Sequence, residues 1–300
     1  MSEEAASRAR ALNGNASDPS KAPNSNAQAP KSTSDFKVRL IAGSVMALVA
    51  LLLTYAGPRS FAVLVLGVAL VMCWEWGRLV RGQEFGPALV IHMLAVVAAG
   101  VLSELDLPAL GLAALMIGAI VLAFMPFGSR RLLSVAGVAY VGLPVVGMLW
   151  LRDDPSLGFE AVLFVFAIVW GSDIGAFVAG RGLGGPKLWP RVSPNKTWAG
   201  FFGGLTAGVL AGIIFAQFIA GTSSLVLALT GLVLAVAAQM GDLAESALKR
   251  HFGIKDSSTI IPGHGGVMDR ADSIVAVSIV VSLLALLENA ALPAHALFGL

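Results

Sequence analysis

Residues 251–273 read HFGIKDSSTIIPGHGGVMDRADS, which gathers Lys255, Asp256, His264, Asp269, Arg270 and Asp272 in a chain that is only 13% charged. Just upstream, in AQMGDLAESALKRH, residues Asp242, Glu245, Ser246 and Lys249 fall at i, i+3, i+4 and i+7. A helix there presents all four on one face. Asp242 follows some eighteen mostly apolar residues, and a carboxylate at membrane depth costs about 2.5–3.5 kcal/mol at a helix centre, less near the interface. Asp269 trails it by 27 residues. Brought together on neighbouring helices, the two carboxylates repel unless a cation sits between them. Hard oxygen donors suit Mg²⁺, which takes one or two carboxylates and fills its shell with water and substrate phosphates. Lys249, Arg250, Lys255 and Arg270 surround that metal position, and Gly265 and Gly266 let backbone approach an anion and adopt positive φ. Acids for a metal, bases for phosphate oxygens and glycines for close approach form a minimal kit for phosphoryl transfer from a nucleotide. The plainer alternative is a solvated helix end with a Glu245–Lys249 pair worth about 0.2–0.5 kcal/mol. That and ordinary capping explain any one of these residues singly.

A second segment, WGSDIGAFVAGRGLGGPKLWPRVSPNKTWAG, starts with Asp173 in an otherwise apolar helix, where an ionisable group points to function. The loop after it carries Arg181, Lys187, Arg191 and Lys196. GRGLGG follows a membrane helix and not a strand, so a dinucleotide fingerprint is excluded by context. SPNKTW reads as a turn into the next helix, with Ser193 or Thr197 as its N-cap; the same residues could instead touch phosphates. Asp173, Lys187 and Lys196 are expected to line the wall opposite Asp242. Glu75, between Trp74 and Trp76, reads as an interfacial or packing residue.

The elements that hold these residues are membrane helices. Hydrophobic residues make up 57% of the 300 and the mean hydropathy is +0.82, whereas soluble domains are about a quarter charged. Spanning helices of about 20 apolar residues are expected near 40–56, 60–80, 87–102, 107–125, 132–151, 159–180, 197–220, 223–243 and 272–292. The fold expected is therefore all-α and polytopic, with about nine spans. Residues 1–36 are rich in Ser, Asn, Ala and Pro and read as a disordered cytoplasmic tail; 37–158 form N-terminal transmembrane helices, 159–293 a catalytic transmembrane region with cytoplasmic loops, and 294–300 a C-terminal tail. With nine spans, eighteen of the twenty lysines and arginines fall on one side and only Arg59 and Arg152 on the other. Basic residues stay cytoplasmic during insertion, so the N-terminus is placed inside and the C-terminus outside. The single cysteine, Cys73, permits no intramolecular disulfide.

SALKRHFGIKDSSTIIPGHGGVMDRAD, residues 246–272, closely resembles the signature of the phosphatidate cytidylyltransferases, or CDP-diacylglycerol synthases. SDIGAFVAGRGLGG…SPNKTWAG and GDLAES are similar to further blocks of that family, so the resemblance covers about 170–273 well. Two positions depart from it: Ala271 stands for a larger aliphatic residue, and Ala199 for a glutamate. The resemblance implies an integral membrane nucleotidyltransferase that joins CTP to phosphatidic acid and releases pyrophosphate. It carries Asp242 and Asp269 over as Mg²⁺ ligands, with Lys249, Arg250, Lys255, Asp256, His264, Arg270 and Asp272 in the same cytoplasmic site. Asp173, Lys187, Ser193, Lys196, Ser246, Gly265 and Gly266 are expected to bind substrate. The implied setting is the bilayer of a bacterial inner membrane, with a homodimer allowed and no nucleic-acid partner. A CTP-dependent lipid kinase is the nearest rival. A cation-coupled transporter is weaker, because no inverted repeat is evident.

Overall fold

Apolar runs in a membrane must satisfy their own backbone, and here they do so as helices. The computed structural model describes residues 33–82, 84–261 and 265–300, with side chains from 41 onward. Its elements are α1 (Thr33–Ala56), α2 (Pro58–Trp76) continuing through a π-helical turn (Gly77–Arg81), α3 (Pro87–Glu104), α4 (Pro108–Ala123), α5 (Arg131–Arg152), α6 (Gly158–Gly182), β1 (Lys187–Trp189), β2 (Ser193–Thr197), α7 (Trp198–Phe215), α8 (Ser224–His251), α9 (Met268–Glu288) and α10 (Pro293–Phe298). Each of the nine expected segments coincides with a helix. Among the described residues seven of these are long and apolar enough to cross a membrane; Pro108–Ala123 is shorter, and α1 is described with its side chains over Ile41–Ala56. The chain is a multi-pass membrane protein.

Most of the expected tail, residues 1–32, lies outside the described residues, and 33–36 open α1. Two differences from the sequence-based expectation bear on the site. The loop after α6 is not wholly irregular: β1 and β2 pair antiparallel, with Lys187 opposite Thr197 and Trp189 opposite Ser193. The all-α expectation therefore gains a small hairpin. Its strands are three and five residues long and carry Pro194 and Asn195, which is too little alternating apolar pattern to announce a strand. Residues 293–298, within the expected C-terminal end, form the buried helix α10. Asp154 fixes it, because Asp154 Oδ2 accepts from the Ala294 amide at 3.1 Å while Oδ1 accepts from the Ser156 and Leu157 amides.

The helices nearest the signature residues pack through glycine. Along α7, Gly200, Gly204, Gly208 and Gly212 recur every four residues and are all buried, a small-residue stripe of the kind that lets membrane helices approach backbone to backbone. A Cβ at Gly200 would meet the Ala176 carbonyl of α6, and one at Gly208 would lie 2.7 Å from the Gly231 carbonyl of α8. α7 is thus wedged between α6 and α8, which sets the spacing of the two helices that carry Asp173 and Asp242. Gly171, by contrast, has nothing within 4 Å of such a Cβ.

We expect Gly208→Val to lower the thermal midpoint of the detergent-solubilised protein, since overpacking against immobile backbone costs about 1–3 kcal/mol or more. Gly171→Ala should leave that midpoint unchanged or raise it slightly, as replacing a helical glycine in open space stabilises by about 0.4–1 kcal/mol. Equal midpoints for the two variants would contradict the wedge.

Candidate active site

Three helices and the hairpin bring the charged residues to one place. α8 extends past the apolar run to His251, so its last turns project Asp242, Glu245, Ser246 and Lys249 along one face. Ser246 Oγ donates to Asp242 Oδ1 at 3.3 Å, and Lys249 Nζ lies 3.4 Å from Glu245 Oε1. From β2, Lys196 reaches Asp242 Oδ2 at 2.6 Å. From the first turns of α9 come Asp269, which Lys249 approaches at 2.5 Å, and Asp272, whose Oδ1 accepts from the Ser273 amide at 2.7 Å. Asp272 is close enough to Asp242 and Glu245 for their charges to interact. Asp173 on α6 interacts with Asp272 and Asp242, and with Lys196 and Arg270. Five carboxyl groups therefore gather with three basic groups. Glu245 is 1% exposed and Asp272 9%, so their mutual repulsion is screened little by water.

This donor set fits a hard divalent cation in its chemistry: oxygen ligands with an excess of acid over base. Among the described residues no three His, Cys, Asp or Glu side chains converge as a ready-made metal site. Mg²⁺ needs fewer, because it retains water and borrows substrate oxygens. Asp242, which is partly exposed and meets Lys196 and Ser246, suits that role. Asp269 is held by more contacts. Its Oδ1 takes Lys249, and its Oδ2 accepts from the Ser257 amide at 2.9 Å, the Ser257 hydroxyl at 3.0 Å and the Gly266 amide at 2.8 Å. Three of these four donors meet Oδ2 and make Asp269 an anchor for the loop after α8, while the one on Oδ1 leaves acceptor capacity there.

The remaining expected residues are spread more widely. Arg250 points to the hairpin and its own helix end, with Nε donating to the Val192 carbonyl at 3.4 Å and Nη1 to the Ile254 carbonyl at 3.3 Å. Lys187, Lys255, Asp256 and Arg270 are exposed, Ser193 is half-buried, and His264 lies outside the described residues. The N-cap of α7 is Thr197, whose Oγ1 accepts from the Gly200 amide at 3.1 Å. Ala199 sits in the first turn that follows. Gly265 has a φ of +85°, and a Cβ on it would press on Asp269 Oδ2 at 2.7 Å. Gly266 has no room for a side chain, since a Cβ there would run into Ser257 Oγ and Glu75 Oε1. Its amide is committed to Asp269, so these glycines serve the close folding of the loop.

The helices, the clustered acids and the tightly folded glycine loop correspond to a shared sequence pattern. Residues 37–287 match the Cytidylyltransferase family. The chain belongs to this family. It is similar to the phosphatidate cytidylyltransferases of Brucella suis biovar 1 (strain 1330) and Brucella abortus (strain 2308), each 38% identical over 244 residues, 81% of this chain and 90% of the relative. The phosphatidate cytidylyltransferase of Staphylococcus epidermidis (strain ATCC 12228 / FDA PCI 1200) is 47% identical over 137 residues, 45% of this chain and 52% of the relative. The family match runs from 37 to 287, so it takes in the N-terminal helices as well as the signature.

Those N-terminal helices also supply a residue that sequence reasoning set aside. Glu75 is fully buried and accepts from the Ser258 hydroxyl at 2.5 Å, the Val267 amide at 2.9 Å and the Met268 amide at 2.6 Å. The signal was present in the sequence, as an acid inside an apolar helix; the same rule had singled out Asp173.

Gly266→Ala should fold but lose activity, because its Cβ displaces Ser257 and Glu75 together. We expect turnover by the purified enzyme to fall by about 10–100-fold, the scale for disturbing residues that orient a site. Turnover equal to that of the unsubstituted enzyme would show that the loop tolerates the intrusion.

Proposed function

We propose that this protein joins CTP to phosphatidate at the inner leaflet, giving CDP-diacylglycerol and pyrophosphate. The observation that carries the proposal is the acid and base cluster at the ends of membrane helices in a chain of the cytidylyltransferase family. Its relatives are named for that activity. Such a site meets a water-soluble nucleotide from one side and a lipid from the other.

The phosphate monoester of the lipid is already anionic and needs no activated serine or cysteine. One of its oxygens forms a bond to the α-phosphorus of CTP, and the bond from that phosphorus to the β-bridging oxygen breaks, its electron pair leaving with pyrophosphate. The protein's part is to align the two phosphates and offset their charge. Lys196 and Lys249 are already held beside carboxylates, and Arg270 and Lys255 offer exposed positive charge for the triphosphate. Asp242 and Asp269 would hold Mg²⁺, with water and substrate oxygens filling its shell, and the ion would neutralise the charge developing on the departing pyrophosphate. Lys196, which lies 2.6 Å from Asp242 Oδ2, would be placed to meet a phosphate oxygen with the ion bound there.

We further propose nine spans with the N-terminus cytoplasmic, the C-terminus outside and the site facing the cytoplasm of a bacterial cell. The distribution of basic residues supports this. So does the cavity of about 390 Å³ lined by Arg59, Glu104, Asp106 and Asp153, because the start of α2 and the ends of α3 and α5 meet there, as an alternating bundle requires.

The test is pyrophosphate release by purified protein given CTP, Mg²⁺ and phosphatidate, with each component omitted in turn. Release should require all three and equal the CDP-diacylglycerol formed. Asp242→Asn should lower kcat by about 100-fold or more, the scale for losing one preorganised electrostatic contact. Appearance of CDP without pyrophosphate would instead make the protein a lipid kinase.

A further inference from the structure

We infer that Glu75, from the N-terminal half of the chain, is a positioning residue for the reaction. It sets the height and register of the signature loop and of the helix that carries Asp269 and Asp272. The inference rests on the proposed reading of the site.

α9 begins without a side-chain cap at its N-cap: that residue is Val267, which offers no acceptor to the first amides. An uncapped helix start leaves N–H groups that need acceptors and a partial positive charge that favours an anion. Glu75 meets both needs from a different helix. Its Oε2 takes the Met268 amide, and its Oε1 takes the Val267 amide and the Ser258 hydroxyl. These partners lie 183 to 193 residues further along the chain. Asp269 treats the adjoining residues in the same way, taking the Ser257 amide and hydroxyl and the Gly266 amide. The two carboxylates thus grip neighbouring serines, 257 and 258, and three successive amides, 266 to 268. Gly266 is squeezed between Ser257 Oγ and Glu75 Oε1, so the two grips share one contact surface.

Packing alone does not account for an acid here. A buried carboxylate is costly unless hydrogen bonds satisfy it, and an apolar side chain would fill the same space in α2 without that cost. What the acid adds is a fixed distance between α2 and the loop. Any shift of Glu75 moves Ser258 and Met268, then Asp269, and through it Lys249, which Asp269 holds at 2.5 Å. Glu75 touches no reacting atom in this account; it acts through those residues.

The experiment compares Glu75→Gln, Ser258→Ala and Asp269→Asn with the unsubstituted enzyme in full-length, detergent-solubilised form, measuring kcat and the KM for CTP separately, with folded fraction from size-exclusion chromatography. Glu75→Gln should reduce kcat/KM by about 10–100-fold, the range for residues that orient others, with a raised KM for CTP. A merely structural role would lower the folded fraction, and kcat with it, at unchanged KM. Ser258→Ala, which keeps the carboxylate and both backbone bonds, should raise KM in the same direction by a smaller factor. It reports on the inference even if Glu75→Gln does not fold. Unchanged KM in Ser258→Ala, with Glu75→Gln either unfolded or unchanged, would overturn the inference. Full activity in Asp269→Asn would instead overturn the reading of the site on which it rests. Loss in Asp269→Asn beside normal constants in the other two would remove only the role of Glu75.

Discussion

A loop that closes an active site between membrane helices has to satisfy its backbone without bulk water, and two buried carboxylates do this for residues 257, 258 and 266–268. Besides Lys249, six groups donate to Asp269 and Glu75: the hydroxyls of Ser257 and Ser258 and the amides of Ser257, Gly266, Val267 and Met268. The rest of the site follows from that constraint. Because Asp269 is tied to the loop as well as to Lys249, Asp242 is the more open of the two carboxylates. Because Glu75 caps α9 from outside, the helix can start with Met-Asp-Arg and carry Asp269 and Asp272 into the cluster at its very first turns.

Packing within the C-terminal helices sets the remaining geometry. Four glycines on α7 hold α6 and α8 close on either side, and the hairpin that leads into α7 is thereby delivered over the end of α8. Lys196 meets Asp242, and Arg250 returns a bond to the Val192 carbonyl. The glycines in α7 and those in the signature loop serve the same physical end, close approach, in two settings: helix against helix in the first, loop against carboxylate in the second.

Much of this was legible in the sequence. The i, i+3, i+4, i+7 spacing from Asp242 to Lys249 placed those side chains on one face, and the Ser246–Asp242 and Lys249–Glu245 contacts show that they share it. The helical segments were legible because a spanning helix is a long apolar run. The hairpin was not, since its strands are short and lack alternation. Glu75 was legible only as an acid inside an apolar helix; its role lies in contacts more than 180 residues away, which no local pattern carries. For Asp269, the sequence carried its chemistry but not its partners: a carboxylate near Asp242 suggests a metal, and only the fold shows four donors already on it.

The most direct measurement is residue-resolved amide hydrogen exchange on the unsubstituted, detergent-solubilised protein. Exchange requires local opening, so an amide bonded to a buried carboxylate exchanges slowly and an unbonded surface amide quickly. The amides of Ser257, Gly266, Val267 and Met268 should be strongly protected, whereas those of Lys255 and Asp256, on exposed residues of the same loop, should exchange fast. Rates for the four that match those of Lys255 and Asp256 would contradict a loop held by Asp269 and Glu75.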